Sequence, residues 1–111
     1  MKNLLMNIAA PPQQPMLKLT ATTCSSVQVS WRTGSNGGSK IQGFDVYHKR
    51  EHSEWRKTQV GASNRSYVAN ALRCGSRYSF YVRAVNQIGE GIASEIVNAQ
   101  TNGSGTAAFV L

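Results

Sequence analysis

The stretch of sequence that decides the fold reads Leu72-Arg73-Cys74-Gly75-Ser76-Arg77-Tyr78-Ser79-Phe80-Tyr81-Val82-Arg83-Ala84-Val85-Asn86. Within it, Tyr78, Phe80, Val82 and Ala84 alternate with side chains that are mostly polar. A period of two is typical of a β-strand that buries one face. The stretch therefore predicts a long strand over 76–86, preceded by a turn.

Six further stretches on either side alternate in the same way and are separated by turn residues. They predict strands over 16–21, 26–31, 41–49, 54–60, 66–70 and 93–101, with a loop over 34–39 and a turn over 87–91. No stretch predicts a helix. Seven short antiparallel strands favour an all-β, two-sheet sandwich with Greek-key connections.

The strand pattern alone does not separate immunoglobulin, cadherin and fibronectin type III sandwiches, but particular motifs do. Over residues 11–101 the chain resembles a fibronectin type III domain, which implies a seven-stranded antiparallel immunoglobulin-like fold. The motifs are Val27-Gln28-Val29-Ser30-Trp31, Gly37-Gly38-Ser39-Lys40-Ile41-Gln42-Gly43-Phe44-Asp45-Val46, Leu72 six residues before Tyr78, Val82-Arg83-Ala84-Val85-Asn86 and Gly89-Glu90-Gly91.

The resemblance gives four residues a place in the core. Trp31 would fill the space between the sheets, and Leu72 would close the lower end of the core. Tyr78 looks like the tyrosine corner, with a buried ring and a hydroxyl bonded to nearby backbone. His48 falls where the family usually has a core ring, so we expect a partly buried, hydrogen-bonded histidine rather than a ligand or a pH switch.

The only two cysteines are Cys24 and Cys74, and fibronectin type III domains usually have none. Cys24 precedes the second predicted strand and Cys74 the sixth, and in such a sandwich these two turns lie at the same end. We therefore predict a disulfide and an oxidising compartment. The alternative is a pair of free buried thiols in a cytosolic domain. Two cysteines without a matched histidine cluster do not make a metal site.

The sequence around Cys74 is also similar to the fibronectin type III repeats of the Down syndrome cell adhesion molecule (Dscam) group. Related neuronal immunoglobulin-superfamily proteins share parts of the pattern. Dscam proteins are single-pass surface receptors for adhesion and for neuronal or immune recognition, and their fibronectin repeats form the membrane-proximal part. The resemblance implies an extracellular module of a membrane-anchored or secreted parent, acting as a spacer and in homophilic or heterophilic protein contact.

The ends of the chain predict three segments. Residues 1–10 read as a leader or cloning segment, 11–101 as the domain after a stiff proline-rich start, and 102–111 as a flexible tail. No run of apolar residues is long enough to cross a membrane. Two glycosylation sequons, at Asn64 and Asn102, agree with a secreted route.

The chemistry of an enzyme is missing from the sequence. It has no phosphate-binding loop, paired-carboxylate pattern or nucleophile elbow, and its 5 acidic residues and 2 histidines do not assemble a catalytic constellation. We therefore predict a domain that is not an enzyme and that uses no cofactor or metal.

The chain carries 12 lysines and arginines and a formal charge of +7, which favours anionic partners. The predicted binding face points outward from the third, fourth and sixth strands and is composed of Tyr47, Lys49, Arg56, Lys57, Tyr81 and Arg83. Tyrosines among cations suit a protein interface, or a sulfated glycan of the heparan sulfate type. Outward tyrosines and arginines also occur simply as cross-strand pairs. Nucleic acid is disfavoured by the fold and compartment, and an intracellular structural repeat is a third alternative.

Overall fold

Residues 8–103 are described by a computed structural model of the chain, and in them every regular element is a β-strand. The eight strands are β1 (Met16–Thr22), β2 (Val27–Arg32), β3 (Gly43–Arg50), β4 (Arg56–Gly61), β5 (Ser66–Ala69), β6 (Arg77–Asn86), β7 (Gly89–Glu90) and β8 (Val97–Gln100). No helix in this part of the chain is long and apolar enough to cross a membrane.

The strands form two antiparallel sheets. The three-stranded sheet has the order β1-β2-β5, and the five-stranded sheet has the order β4-β3-β6-β7, with β8 also paired to β6. The inner faces enclose a core whose buried members are Val27, Val29, Trp31, Phe44, Val46, Ala69, Tyr78, Phe80, Val82, Ala84 and Ala99. The predicted all-β sandwich is confirmed, because period-two burial on β2 and β6 gives each sheet one apolar face.

Two details at the β6–β8 region differ from the sequence prediction. The expected turn over 87–91 contains an additional two-residue strand, β7, so the sandwich has eight strands rather than the predicted seven. The Asn86 side-chain oxygen accepts the N–H groups of Ile88 and Gly89 and so folds a tight hairpin. The last strand is shorter than the predicted 93–101. Ahead of it, the Ser94 hydroxyl accepts the Val82 N–H at 2.9 Å, so a side chain replaces a ladder bond.

Trp31, Leu72 and Tyr78 all lie at the core. Trp31 is 4% exposed, and its ring tilts against Phe44 at a centroid distance of 5.4 Å. Leu72 is partly buried and packs against the core. The Tyr78 ring is buried, and its hydroxyl accepts a hydrogen bond of 2.8 Å from the Arg73 N–H.

Removing the Tyr78 hydroxyl tests that bond. Tyr78→Phe keeps the ring but leaves the Arg73 N–H without its partner, so we expect the free energy of unfolding to fall by about 1–2 kcal/mol. Urea denaturation measures this loss. The control is Tyr67→Phe, since no hydrogen bond of the Tyr67 hydroxyl occurs within residues 8–103. Equal stability of Tyr78→Phe and wild type would contradict the assignment.

The predicted disulfide joins the turns before β2 and β6. Cys24 and Cys74 are bonded, with 4.6 Å between their Cα atoms and 50 residues between them in sequence. Backbone bonds hold the same end together: the Leu72 N–H donates to Ser25 O, and the Gly75 N–H donates to Asn102 O. The cysteine pair thus fastens the start of the second strand to the turn that leads into the sixth.

The N-terminal segment is attached to the sandwich before β1 begins. The Ala10 N–H donates to Gly37 O at 2.9 Å, and the Ala10 carbonyl accepts from the Asn86 side-chain amide at 2.7 Å. Gly37 has φ +79°, and a β-carbon there would collide with the Ala10 carbonyl. Ala10, the last residue of the predicted leader, is therefore hydrogen-bonded to the sandwich. Residues 1–7 of that leader lie outside the described part.

At the other end, residues 101 and 102, which lie on either side of the predicted boundary, both contact the sandwich. Thr101 is buried, and the Asn102 N–H donates to Thr23 O at 3.0 Å. Asn102 is thus tied to the turn before β2 rather than being the first residue of a flexible tail. Residues 104–111 lie outside the described part of the chain.

Candidate interaction face

Cross-strand register builds the outer surface of the five-stranded sheet. Tyr47 on β3 lies opposite Lys57 on β4 and Tyr81 on β6. Along β3 the next outward positions are Asp45 on one side, opposite Arg83, and Lys49 on the other. Because side chains alternate along each strand, these residues share one side of the sheet.

Three aromatic rings lie at the centre of this surface. Tyr47 and Tyr81 stack, with centroids 4.5 Å apart and planes at 12°. Trp55 approaches Tyr81 edge-on at 4.8 Å and 72°, and it keeps 36% of its surface exposed. We call Tyr47, Trp55 and Tyr81 the aromatic face. Edge-on and stacked pairs are favourable ring arrangements, so the three side chains have a fixed geometry.

Cations and one carboxylate surround the aromatic face. Lys49 Nζ lies 5.2 Å from the Trp55 ring centroid, and the Arg83 guanidinium lies 5.7 Å from that of Tyr81. Glu90 on β7 accepts a hydrogen bond from the Tyr47 hydroxyl and is 3.8 Å from both Lys57 Nζ and Arg83 Nε. The charges of Lys57 and Arg83 are therefore partly compensated within the domain itself.

Arg56 does not belong to this surface. It lies opposite His48 in the β3–β4 register, whereas its neighbour Lys57 lies opposite Tyr47. Adjacent residues of a strand point to opposite sides of the sheet, so Arg56 is not on the outer face that carries Lys57, although both line the groove at the sheet edge. Arg56 lines this groove with His48. Of the six predicted face residues, the structure brings five together and separates this one.

Asp45 points outward from β3, as alternation along the strand indicates, and it is nevertheless buried. The side chain is on the outer side of the sheet, but the residue is only 3% exposed. Lys57 Nζ lies 3.8 Å from its carboxylate, and the Glu90 carboxyl is a second charged neighbour. Burial and the neighbouring Glu90 carboxyl raise the pKa of Asp45 to about 6, against the lowering effect of Lys57.

The shift predicts how stability depends on pH. Between about pH 4 and pH 6 the folded protein holds the Asp45 proton more tightly than the unfolded chain does. This contribution to stability is complete below about pH 4 and is lost as pH rises through about 6. The hydrogen bond with Asp45 lowers the pKa of Glu90, which offsets part of the loss. Relative to Asp45→Asn, we expect wild type to lose about 1–2 kcal/mol between about pH 4 and pH 7.

Urea midpoints of both proteins, measured across this pH range, test the prediction. Asp45→Asn is the matched control because it keeps the size of the side chain and cannot ionise. A wild-type protein that gains stability over the variant as pH rises would contradict the raised pKa.

His48 is half-buried on the inner side of β3. Its ring stacks on Phe80 with centroids 5.5 Å apart, and burial, followed by the charge of Arg56, lowers its pKa. The expected hydrogen-bonded histidine is not found: its Nδ1 is buried and has no partner within residues 8–103. In the same range, no three His, Cys, Asp or Glu side chains group closely enough to hold a metal ion.

The two sequon asparagines differ in their surroundings. Asn64 is exposed in the turn between β4 and β5, and its N–H donates to Gly61 O at 3.1 Å. Asn102 is exposed, but its side-chain oxygen lies 3.3 Å from the Thr22 hydroxyl that donates to it. The hydroxyl residue of the second sequon lies outside the described part. Asn64 is thus the more accessible acceptor of the two.

Two antiparallel sheets, a buried Trp31 and a Tyr78 hydroxyl bonded to backbone define a fibronectin-type β-sandwich, with an aromatic face on its larger sheet. The sequence profile of the Fibronectin type III domain matches residues 10–100. The chain belongs to this family. Fibronectin type III domains similar to those of cell adhesion molecules are not enzymes, and this domain is not an enzyme.

Proteins with similar sequences include several cell adhesion molecules. The chain is 41% identical over 99 residues to "Cell adhesion molecule DSCAM" of Homo sapiens, covering 88% of this chain and 5% of that protein. It is 34% identical over 96 residues to "Cell adhesion molecule Dscam1" of Drosophila melanogaster, covering 86% and 5%. The chain thus spans about one-twentieth of the length of these relatives.

Solved structures agree on the fold. A crystal structure of domains from titin superposes with a TM-score of 0.76 at 27% identity, over 85% of this chain and 33% of that one. The FN1–FN3 domains of chicken CNTN1 superpose with a TM-score of 0.75 at 22% identity, over 85% and 34%. The second likeness supports the sandwich alone.

Proposed function

We propose that this domain is an extracellular module of a Dscam-like adhesion receptor, and that its aromatic face binds a second copy of the same domain. The observation that carries the proposal is the exposed ring cluster of Tyr47, Trp55 and Tyr81. Tryptophan and tyrosine are enriched where protein interfaces concentrate their binding energy. Similarity to adhesion molecules supports a role in protein contact.

The charges around the aromatic face favour a second copy as the partner. Lys49 lies beside Trp55 at one end of the ring cluster, and the Glu90 carboxylate lies at the other end, beside Tyr47, with Lys57 and Arg83 next to it. A two-fold pairing of identical surfaces needs patches that complement themselves. A surface with both signs around an apolar centre meets this need, because rotation brings Lys49 of one copy towards the Glu90 carboxylate of the other.

Self-association is measured by sedimentation equilibrium over a wide range of protein concentrations. We expect a weak dimer in wild type and an association at least about ten-fold weaker in Trp55→Ala, since central aromatic residues contribute more than 1 kcal/mol. Val68→Ala is the matched control, because Val68 is 41% exposed on the three-stranded sheet. A wild type that stays monomeric, or a Trp55→Ala variant that associates as wild type does, would overturn the proposal.

The spacer role rests on the way the ends are held. The N-terminal segment is bonded at Ala10 and Gln13, and the C-terminal strand is followed by the bonded Asn102. Segments at the two borders of the domain that are fixed to the sandwich set the direction in which neighbouring domains of a longer protein would leave it. We infer that the module orients its neighbours in a receptor for neuronal or immune recognition, as well as separating them.

The disulfide supports the extracellular placement, because such bonds persist in oxidising compartments. The mass of unreduced protein from a secretory host tests it: we expect an intact disulfide and a glycan on Asn64, with Asn102 as the weaker acceptor. Asn64→Gln is the control for the first glycan. Two free thiols in that protein would favour the alternative of an intracellular structural repeat.

A sulfated-glycan role through the outer surface has less support. The set Lys49, Arg56, Lys57 and Arg83 does not act as one patch, since Arg56 is on the other side of β4. Lys57 and Arg83 already lie beside Glu90. Their charges are therefore less available to an anionic chain than the overall charge of +7 suggests.

A further inference from the structure

A groove of about 840 Å³ opens at the side edge of the sandwich, where the β3–β4 pair faces the turn after β5. Four cations line it, namely Lys49, Arg50, Arg56 and Lys57, and Glu54 is the one carboxylate among its lining residues. Its floor includes Leu72 and Tyr78, whose ring is already packed in the core. The groove therefore offers positive charge beside partly buried apolar side chains.

A second, smaller groove of about 300 Å³ adjoins the first through Arg50, which lines both. Arg77 adds another cation there, beside His52 and Glu51. We call Arg50, Arg56 and Arg77 the basic strip. It runs from the β3–β4 edge towards the end of the domain that carries the disulfide.

The arginines of the basic strip are available for a ligand. Within residues 8–103, the ion pairs involve Lys57 and Arg83 on the cationic side, and none involves Arg50, Arg56 or Arg77. Those three residues are exposed. The contrast with the aromatic face is clear, because there Glu90 compensates the neighbouring cations.

The backbone that presents these side chains is fixed. The Glu51 N–H donates to Arg77 O at 2.9 Å, and the Ser53 N–H donates to Arg50 O at 2.9 Å. The first bond ties the turn after β3 to the start of β6 and the second closes the turn itself, so the backbone at Arg50 and Arg77 keeps its spacing. A site whose groups are already placed loses less entropy when it binds.

We propose that the basic strip binds a linear sulfated oligosaccharide, independently of the aromatic face. Guanidinium groups present several N–H donors in a planar fork that suits oxyanions. Two adjoining grooves that share a cation suit a chain with repeated anionic groups rather than a single small ion. An acidic peptide is the competing ligand, and a poly-glutamate peptide of the same charge separates it from the glycan.

Calorimetry with a heparin-derived octasaccharide tests the proposal. The variant Arg50→Gln/Arg56→Gln/Arg77→Gln is compared with Lys18→Gln/Arg32→Gln/Lys40→Gln, which removes the same charge elsewhere. We expect affinity to fall at least about ten-fold in the first variant and by less than about three-fold in the second. Equal losses would show that net charge alone attracts the glycan, and would overturn the proposed site.

A second measurement does not depend on any variant. Nuclear magnetic resonance of the wild-type protein, titrated with the octasaccharide, is expected to shift the signals of His48 and of the arginine Nε groups of the strip. It should also raise the pKa of His48, which lies beside Arg56 in the groove. Shifts confined to the aromatic face, or equally strong competition by a poly-glutamate peptide of the same charge, would overturn the assignment.

Discussion

Replacing Cys24 and Cys74 together by serine is expected to lower the free energy of unfolding by about 4 kcal/mol. The disulfide closes a loop with a sequence separation of 50 residues, and the chain-entropy estimate for such a loop is about 4 kcal/mol. It also joins the two turns from which β2 and β6 start, so the unfolded chain gains freedom at the strands that hold the core. For a domain of this size the melting temperature should fall by roughly 15–30 °C.

Thermal and urea unfolding of the double variant measure this effect. Wild type treated with a reducing agent is the natural control, because it loses the bond without a change of sequence. Both samples should unfold at nearly the same point, well below the oxidised protein. A double variant within about 1 kcal/mol of wild type would show that the bond contributes little and would weaken the reason for an oxidising compartment.

The two tryptophans provide the second prediction with a large effect. Trp31→Ala is expected to cost about 4 kcal/mol, because a ring that is 4% exposed and packed on Phe44 leaves a cavity between the sheets. Trp55→Ala should cost about 1 kcal/mol or less, since Trp55 is 36% exposed and contacts mainly Tyr81 and Lys49.

Urea denaturation of the two variants is the measurement, and each serves as the control for the other. The same residue type is removed in both, so the difference reports burial alone. Similar losses in both variants would contradict the division between a core tryptophan and a surface tryptophan. A folded Trp55→Ala variant is also the condition for using it in the association experiments.

The sandwich could be predicted from sequence because burial on one face leaves a period-two record. On β6 every second residue from Tyr78 to Asn86 is buried, as the alternation from Tyr78 onward indicates. The same rule explains why Arg56 does not join the predicted face. Residues 56 and 57 are adjacent on β4, so one of them has to face the other side of the sheet. Strict alternation along β4 is therefore enough to separate the two cations.

Trp55 and Glu90 could not be assigned to the face from local patterns. Trp55 precedes the first residue of β4, so its direction depends on the turn after β3. Glu90 belongs to a two-residue strand that exists because the Asn86 side chain folds the hairpin. Trp55 contacts Tyr81 and Glu90 contacts Tyr47, and the residues of each pair are far apart in the sequence. Alternation along one strand carries no information about such contacts.

The contacts at the start of the domain could not be predicted from the sequence either. Proline-rich composition indicated an extended segment but did not reveal that Ala10 is bonded to Gly37 and Asn86.

The burial of Asp45 also depends on Lys57 and Glu90, which come from other strands. Polar side chains take their environment from the tertiary structure, whereas apolar ones mainly create it.

The most direct test of the aromatic face is a titration of isotope-labelled domain with the same unlabelled domain, followed residue by residue by nuclear magnetic resonance. The account predicts concentration-dependent shifts at Tyr47, Trp55, Tyr81 and Glu90, with little change on the three-stranded sheet. The same shifts are expected to disappear in a labelled Trp55→Ala variant. Shifts centred on the three-stranded sheet, or no shifts at concentrations where wild type is seen to associate, would contradict the claim that this face makes the contact.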